Sequence, residues 1–196
     1  MLCEAPDPNS FADMARVAGV ELGRFSEAYW QLRGPYDRGE LSGSSYWLAV
    51  GDSTGARIDA ELTAALVERD IALWARVDVE MLAWVNAVAA RGVRVGLLSN
   101  MVAEIGSHLR DTMRLFEGFA SVTYSYEVRL AKPDPRIYHH ALASLGAAPA
   151  EVLFVDDRAP NVKAARRVGM HVHHFRGREH LVAEIDERYA LVPELS

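Results

Sequence analysis

The chain has 196 residues, half of them hydrophobic, with a formal net charge of −6 and one cysteine. No apolar run approaches the roughly 18 residues of a membrane span, no basic segment followed by an apolar stretch marks the amino terminus, and the lone Cys3 excludes an intramolecular disulfide. A cytoplasmic protein is therefore expected; the acidic balance argues against general nucleic-acid binding and leaves room for a small phosphorylated substrate, which needs only a local positive site.

In chain order, the stretch from about Asn9 to Asp78 carries helix signals and no strong strand. Asn9 or Ser10 can cap a helix ending near Gly19. Glu21 to Leu32 carries the next, and Gly34-Pro35 is expected to break it. Ser42 to Val50 and Asp59 to Trp74 are further helices, separated by the turn-forming Gly51-Asp52-Ser53-Thr54-Gly55. The reading is a helical cap over residues 1–77, with Tyr29, Trp30, Tyr36, Tyr46 and Trp47 supplying its core rather than a binding box.

Residues 78–196 read as an α/β core. An Asp78-capped helix with Met81, Val85 and Val88 on one face ends near Gly92 and leads into a strand from Val93. A helix from about Val102, a strand Ser121 to Tyr124, a helix Pro135 to Leu145 closed by Gly146, a strand Val152 to Val155, a helix Asn161 to Val168 and a strand His171 to Phe175 follow. Such alternation implies a Rossmann-like parallel sheet with crossover helices. His171, His173 and His174 invite a metal reading, but strand alternation turns 171 and 173 away from 174. No matching ligand cluster is evident in the sequence.

Three segments carry chemistry. The apolar run Val152-Leu153-Phe154-Val155 reads as a strand buried on both faces, and ligands of parallel sheets bind beyond the carboxyl ends of such strands. Asp156 and Asp157 follow directly. Adjacent carboxylates repel, so the pair is costly unless a cation such as Mg²⁺ neutralises it; a solvated acidic turn capping the next helix is the alternative. A second strand pattern ends in Ser99 and Asn100, which also suit an ordinary turn or N-cap. The third, Ala131-Lys132-Pro133-Asp134-Pro135, holds an extended approach to a helix with a lysine just before it. Together they offer a hydroxyl donor, a fixed cation and an acid pair, the parts needed to hold a dianionic phosphate beside Mg²⁺.

In that order and wording the segments resemble the haloacid dehalogenase-like hydrolase superfamily over nearly the whole chain. LLSN resembles its second motif, AKPDPRIY its third and FVDDRAPNV its fourth. The resemblance implies a Rossmann-like sheet with a helical cap and a Mg²⁺-dependent phosphohydrolase acting on a small phosphorylated metabolite through an aspartyl-phosphate. It implies Ser99, Lys132 and Asp157 as catalytic, Asp156 and Asp157 as metal ligands, and Ser99, Asn100 and Lys132 at the substrate, with Asn161 in support. The segment Tyr36-Asp37-Arg38-Gly39-Glu40 is similar to the cap of smaller members, which makes Arg33 and Arg38 candidates for substrate selection.

The first motif of that superfamily, a strand ending in the nucleophilic aspartate, has no counterpart in MLCEAPDPNSF. Asp7 lies between two prolines and Asp13 inside a helix-like run. By resemblance, Met1-Leu2 aligns with the Val-Leu that follows the nucleophile, which would then lie upstream of Met1. In the superfamily that strand sits between the strands ending at Ser99 and Asp156. Its four or so buried side chains are worth about 6–12 kcal/mol at roughly 1.5–3 each, on the scale of a whole domain's stability of about 5–15 kcal/mol. The expectation is that the first core strand is missing from the chain as given, through a late-assigned start rather than natural loss, and that the chain is inert or nearly so. Two other readings stay open: a 2-haloacid dehalogenase, which the acid pair counts against because serine is typical there, and a non-catalytic binding or regulatory protein. Oligomeric state is not legible.

Overall fold

The structure, a computed structural model, describes residues 2–3, 7–113 and 116–189. Helix α1 (Pro8–Val17) starts at Pro8 because Asp7 caps it, its carboxylate accepting from Asn9 N at 2.9 Å. Proline suits the first helical position, where its missing N–H has no partner to lose. The cap is thus two or three residues earlier than Asn9 or Ser10. Helix α2 (Leu22–Asp37) runs straight through Gly34-Pro35. The expected break does not occur because the last turn is held from outside. Tyr36 is buried and stacked on Tyr46 with ring centroids 4.2 Å apart, its hydroxyl donates to Glu104 at 2.8 Å, and Arg33 pairs with Asp37 at 2.9 Å. These contacts outweigh a cost of about 3 kcal/mol for an interior proline.

Helix α3 (Gly43–Thr54), capped by Ser42, continues through the stretch expected as a turn and closes at Gly55 with φ 75°. Val50, Gly51 and Thr54 are buried there, and the Thr54 hydroxyl donates to Val50 O at 2.8 Å inside its own helix. A polar run became helix because its buried face is needed and its hydroxyl is satisfied locally. Helix α4 (Ala60–Trp74) begins, as the sequence indicates, after Asp59, which accepts from Leu62 N.

These four helices close on a core of Phe25, Tyr29, Tyr46, Trp47 and Leu66, with one ion pair inside it. Arg33 Nη1 lies 3.0 Å from Asp70 Oδ2, Tyr29 donates to Asp70 at 2.6 Å, and the guanidinium sits 5.1–5.6 Å from the ring centroids of Tyr29, Tyr36 and Trp74. Arg33 is therefore a structural cation of the cap, not a substrate contact as its position in the sequence suggested. The same apolar cluster continues into Met101, Val102, Ile105, Leu109 and Tyr124, so the cap and the α/β core share one interior.

The remainder alternates as expected, with two additions. It comprises α5 (Val79–Ala90), β1 (Gly96–Ser99), α6 (Ala103–Met113), β2 (Ser121–Tyr124), α7 (Ser125–Val128), α8 (Pro135–Leu145), a single 3₁₀ turn at Pro149–Glu151, β3 (Leu153–Asp156), α9 (Ala159–Val168), β4 (His171–His174) and α10 (Arg178–Tyr189). Helices α7 and α10 were not foreseen. β1 pairs in parallel with β2, Ser99 opposite Tyr124; β3 pairs in parallel with β4, Asp156 opposite His174.

The parallel strands form two pairs, and among the described residues no strand lies between β1 and β3. An apolar cavity of about 500 Å³, lined by Leu97, Leu98, Phe154, Val155, Trp84 and Leu2, occupies the space they flank. Cys3 makes an antiparallel bridge to Val77 and Leu2 O accepts from Asp78 N at 2.9 Å, so the two ends of the helical region lie side by side. No helix among the described residues is long and apolar enough to cross a membrane.

Burial lifts the hydroxyls of Tyr29, Tyr36 and Tyr46 above their ordinary pKa of 10.0, with the charge of Asp70 or Glu104 adding to the effect. Above pH 10 the unfolded chain loses protons that the folded chain keeps, so the unfolded state binds fewer and stability falls as pH rises. The melting temperature should drop steeply between about pH 9 and about pH 11, and the drop should be shallower in Tyr36→Phe and Tyr46→Phe, as followed by circular dichroism.

Candidate functional site

The site gathers at the carboxyl ends of β1 and β3. Pro133 and Pro135 hold Lys132 in an extended approach to α8, whose first turn is capped by Asp134. The ammonium crosses from one strand pair to the other, donating to Leu98 O on β1 at 2.9 Å and to Asp156 Oδ2 on β3 at 2.7 Å. Both side chains are buried, 10% exposed for Lys132 and 3% for Asp156. Such a pair is tolerable only when the remaining charge is hydrogen-bonded. Asp156 meets that condition: its Oδ1 accepts from Arg158 N at 2.8 Å and from Asn161 Nδ2 at 2.9 Å. Asn161 is itself buried, and its backbone O accepts from the Tyr138 hydroxyl at 3.0 Å.

Asn100 was expected at the substrate, but its amide is turned to the backbone of Lys132. Nδ2 donates to Lys132 O at 2.9 Å and Oδ1 accepts from Lys132 N at 2.8 Å. It acts as a bracket that sets where the ammonium lands. Ser99 is half-buried at the end of β1, and among the described residues its hydroxyl makes one long hydrogen bond, donating to Asn100 O at 3.3 Å. A closer acceptor would take that proton. Asp157 is exposed, and among the described residues its carboxylate makes no hydrogen bond; its backbone O accepts from His174 Nε2 at 2.9 Å. Of the residues expected at the site, Lys132 and Asp156 meet directly, while Ser99 ends β1 and Asp157 follows the end of β3.

Arg38 lies just past α2, paired with Glu40 at 2.6 Å. It stands where the cap meets the core, because the neighbouring Asp37 O accepts from Ser125 Oγ at 2.5 Å. Ser125 is fully buried and its oxygen also accepts from Met101 N at 2.8 Å, so one hydroxyl joins α2 to the loop after Ser99. Nothing in the local sequence SYEV marks that serine. Asp7 caps α1 and Asp13 pairs with Arg16 and Arg69, so both aspartates near the amino terminus are engaged on the cap.

Chemically the site offers one fixed ammonium, a hydroxyl donor and two carboxylates, one buried and fully bonded, the other open to solvent. Carboxylate oxygens at one strand end are the hard donors that Mg²⁺ takes, usually one or two of them with water and phosphate filling the remaining positions. The exposed Asp157 beside buried Asp156 fits that demand.

Comparison with known proteins shows the family. The model of the haloacid dehalogenase-like hydrolases matches residues 9–169. The sesquiterpene phosphatase astK of Aspergillus oryzae is 28% identical over 135 residues, 69% of this chain and 67% of that protein. A phosphoserine phosphatase of Thermus thermophilus is 36% identical over 81 residues, covering 41% of this chain but only 32% of that protein. Among solved structures, a family enzyme of Bacteroides thetaiotaomicron in complex with magnesium and inorganic phosphate superimposes with a TM-score of 0.71 at 17% identity, over 90% of this chain and 92% of that one. That likeness is one of fold.

The Lys132–Asp156 pair yields a stability test. Lys132→Met leaves a buried carboxylate without its cation and should cost about 3–5 kcal/mol. Adding Asp156→Asn should recover part of the loss, since the uncompensated charge is then gone while Asn161 and Arg158 N keep an acceptor. Urea denaturation of the single and double variants measures both steps.

Proposed function

Because this chain belongs to the haloacid dehalogenase-like hydrolase family, we propose that it works as a magnesium-dependent phosphatase of a small phosphorylated metabolite, binding the phosphoryl group at the carboxyl ends of β1 and β3. The observation that carries this reading is the Lys132 ammonium fixed between Leu98 O and Asp156, beside the Ser99 hydroxyl and the open carboxylate of Asp157. A phosphomonoester dianion is bound by donors and positive charge already in position, which need no reorganisation when it arrives.

Each residue then has a role. Ser99 donates its hydroxyl proton to one phosphoryl oxygen, and Lys132 neutralises another. Asn100 acts through Lys132, whose backbone it brackets, rather than on the substrate. Asp156 and Asp157 hold Mg²⁺, with Asn161 and Arg158 N keeping Asp156 in place. When bound, Mg²⁺ supplies Lewis-acid neutralisation of the ester, allowing an anionic nucleophile to approach it. Arg38, at the cap–core seam, is the candidate to meet the rest of the substrate.

The attacking carboxylate is assigned to the end of a further parallel strand seated between β1 and β3. Support comes from the facing edges of those two strands across an apolar cavity of about 500 Å³, and from Asp7 and Asp13 being engaged elsewhere. The residues described then account for the binding of phosphate and metal. The phosphatase names of the two relatives, and the magnesium and phosphate of the structural neighbour, fit this assignment.

Two measurements follow. Asp157→Asn removes a charged oxygen from the metal and should weaken Mg²⁺ by about tenfold or more in calorimetric titration; unchanged affinity would take Asp157 out of the site. A protein extended by an upstream strand ending in aspartate should melt higher and hydrolyse a small phosphomonoester with Mg²⁺ but not with excess chelator. Halide release from a 2-haloacid without metal, and no phosphate release, would instead favour a dehalogenase.

A further inference from the structure

We propose that His173, His180 and Glu184 form a second metal site, for a divalent transition ion of the zinc class, that fastens α10 to β4. One nitrogen or oxygen from each of the three residues lies within 4.8 Å of the other two. His173 projects from β4 and its side chain is 1% exposed; its Nδ1 lies 2.5 Å from Glu184 Oε2. The ring of His180 lies 5.2 Å from that of His173. His180 and Glu184 are four residues apart on α10 and so share one face of the helix.

A second observation points to a ligand. Nε2 of His173 is buried and has no hydrogen-bond partner among the described residues. An unsatisfied buried polar nitrogen costs about 1–3 kcal/mol, and such a group calls for a partner, an ion or a water.

The donor chemistry selects the ion. Two imidazoles and one carboxylate suit Zn²⁺, which takes three protein ligands and leaves a fourth position for water. Mg²⁺ prefers oxygen donors and would choose Asp156 and Asp157 instead. Tetrahedral bonds of about 2.0–2.2 Å put ligand atoms roughly 3.3–3.6 Å apart. Binding needs Glu184 to exchange its hydrogen bond with Nδ1 for the ion and His180, which is exposed, to close on it.

The site has a structural consequence. From α10, Leu181 and Ile185 pack on Met81, Trp84 and Val88 of α5 and line the apolar cavity. Arg178 in the first turn of α10 pairs with Glu80 of α5. A metal at the middle of α10 would add a third tie, this one to β4. The residue after His173 is His174, which holds the Asp157 backbone, and Phe175 N donates to Asp156 O at 3.0 Å. The clamp thus secures the strand that backs the acid pair.

The test uses the whole chain without a histidine tag, stripped of metal with chelator and titrated with Co²⁺. One equivalent should produce visible ligand-field bands of a tetrahedral ion, Zn²⁺ should bleach them, and Zn²⁺ should raise the melting temperature. His180→Ala, an exposed substitution whose folding circular dichroism checks, should lose at least about tenfold in affinity, as should Glu184→Gln. Asp157→Asn should keep the bands. No band at one equivalent, native affinity in His180→Ala, or loss of the band in Asp157→Asn would overturn the assignment.

Discussion

One ammonium joins the two strand pairs of this protein. Among the described residues no hydrogen-bond ladder connects β1–β2 to β3–β4, yet Lys132 Nζ donates to a β1 carbonyl and to the β3 carboxylate at once. Burying that charge is unfavourable by itself, and the surrounding residues are arranged to make it tolerable. Asp156 neutralises it, Asn161 and Arg158 N satisfy the other oxygen of Asp156, and Asn100 fixes the backbone from which the lysine reaches. The proposed anion site and the join between two half-sheets are therefore the same set of contacts. Changing any member of the set for function also changes what holds the strand ends together.

The cap is tied to this centre by polar bonds at a tightly packed seam. Glu104 of α6 accepts from the Tyr36 hydroxyl and from Gly43 N, so one carboxylate holds the end of α2 and the start of α3. Gly39 adopts φ 65°, and a Cβ there would come within 2.8 Å of Tyr126 O. Only glycine lets the turn pass so close. With Ser125 bonded to both Asp37 O and Met101 N, the end of α2 and the loop after Ser99 move together unless these bonds break. The shared apolar cluster behind them makes breaking costly.

Elements that carried their own punctuation were legible in the sequence. Asp59, Asp78 and the Asp134-Pro135 and Gly146 pair mark α4, α5 and α8 where the structure has them, because a cap is a local hydrogen bond between neighbours in sequence. What was misread depends on distant partners. Pro35 stays inside a helix because Tyr46 and Glu104 hold Tyr36, and Gly51 to Thr54 stay helical because Ile58 and Ala56 close over Gly51. Asn100 reads as a substrate ligand by position but faces the backbone 32 residues on. His173 looked isolated because its partners lie on α10, a helix whose polar, weakly patterned sequence gave no sign of itself.

The unlike fates of the two adjacent aspartates follow from the period of two along β3. Phe154 points into the cluster of Ile137, Tyr138 and Ala165, under α8 and α9, while Leu153 and Val155 point the other way, toward Met81, Trp84 and Leu181 on α5 and α10. Asp156 shares the parity of Phe154. It therefore turns to the α9 side, where Asn161 waits and where Lys132 lies 5.7 Å above the Phe154 ring. Asp157 comes one residue after the strand ends and is left in solvent. The same alternation on β4 sends His173 to Glu184 and His174 to the carbonyl of Asp157. The pleat thus separates a buried acid that organises the site from an exposed one free to bind.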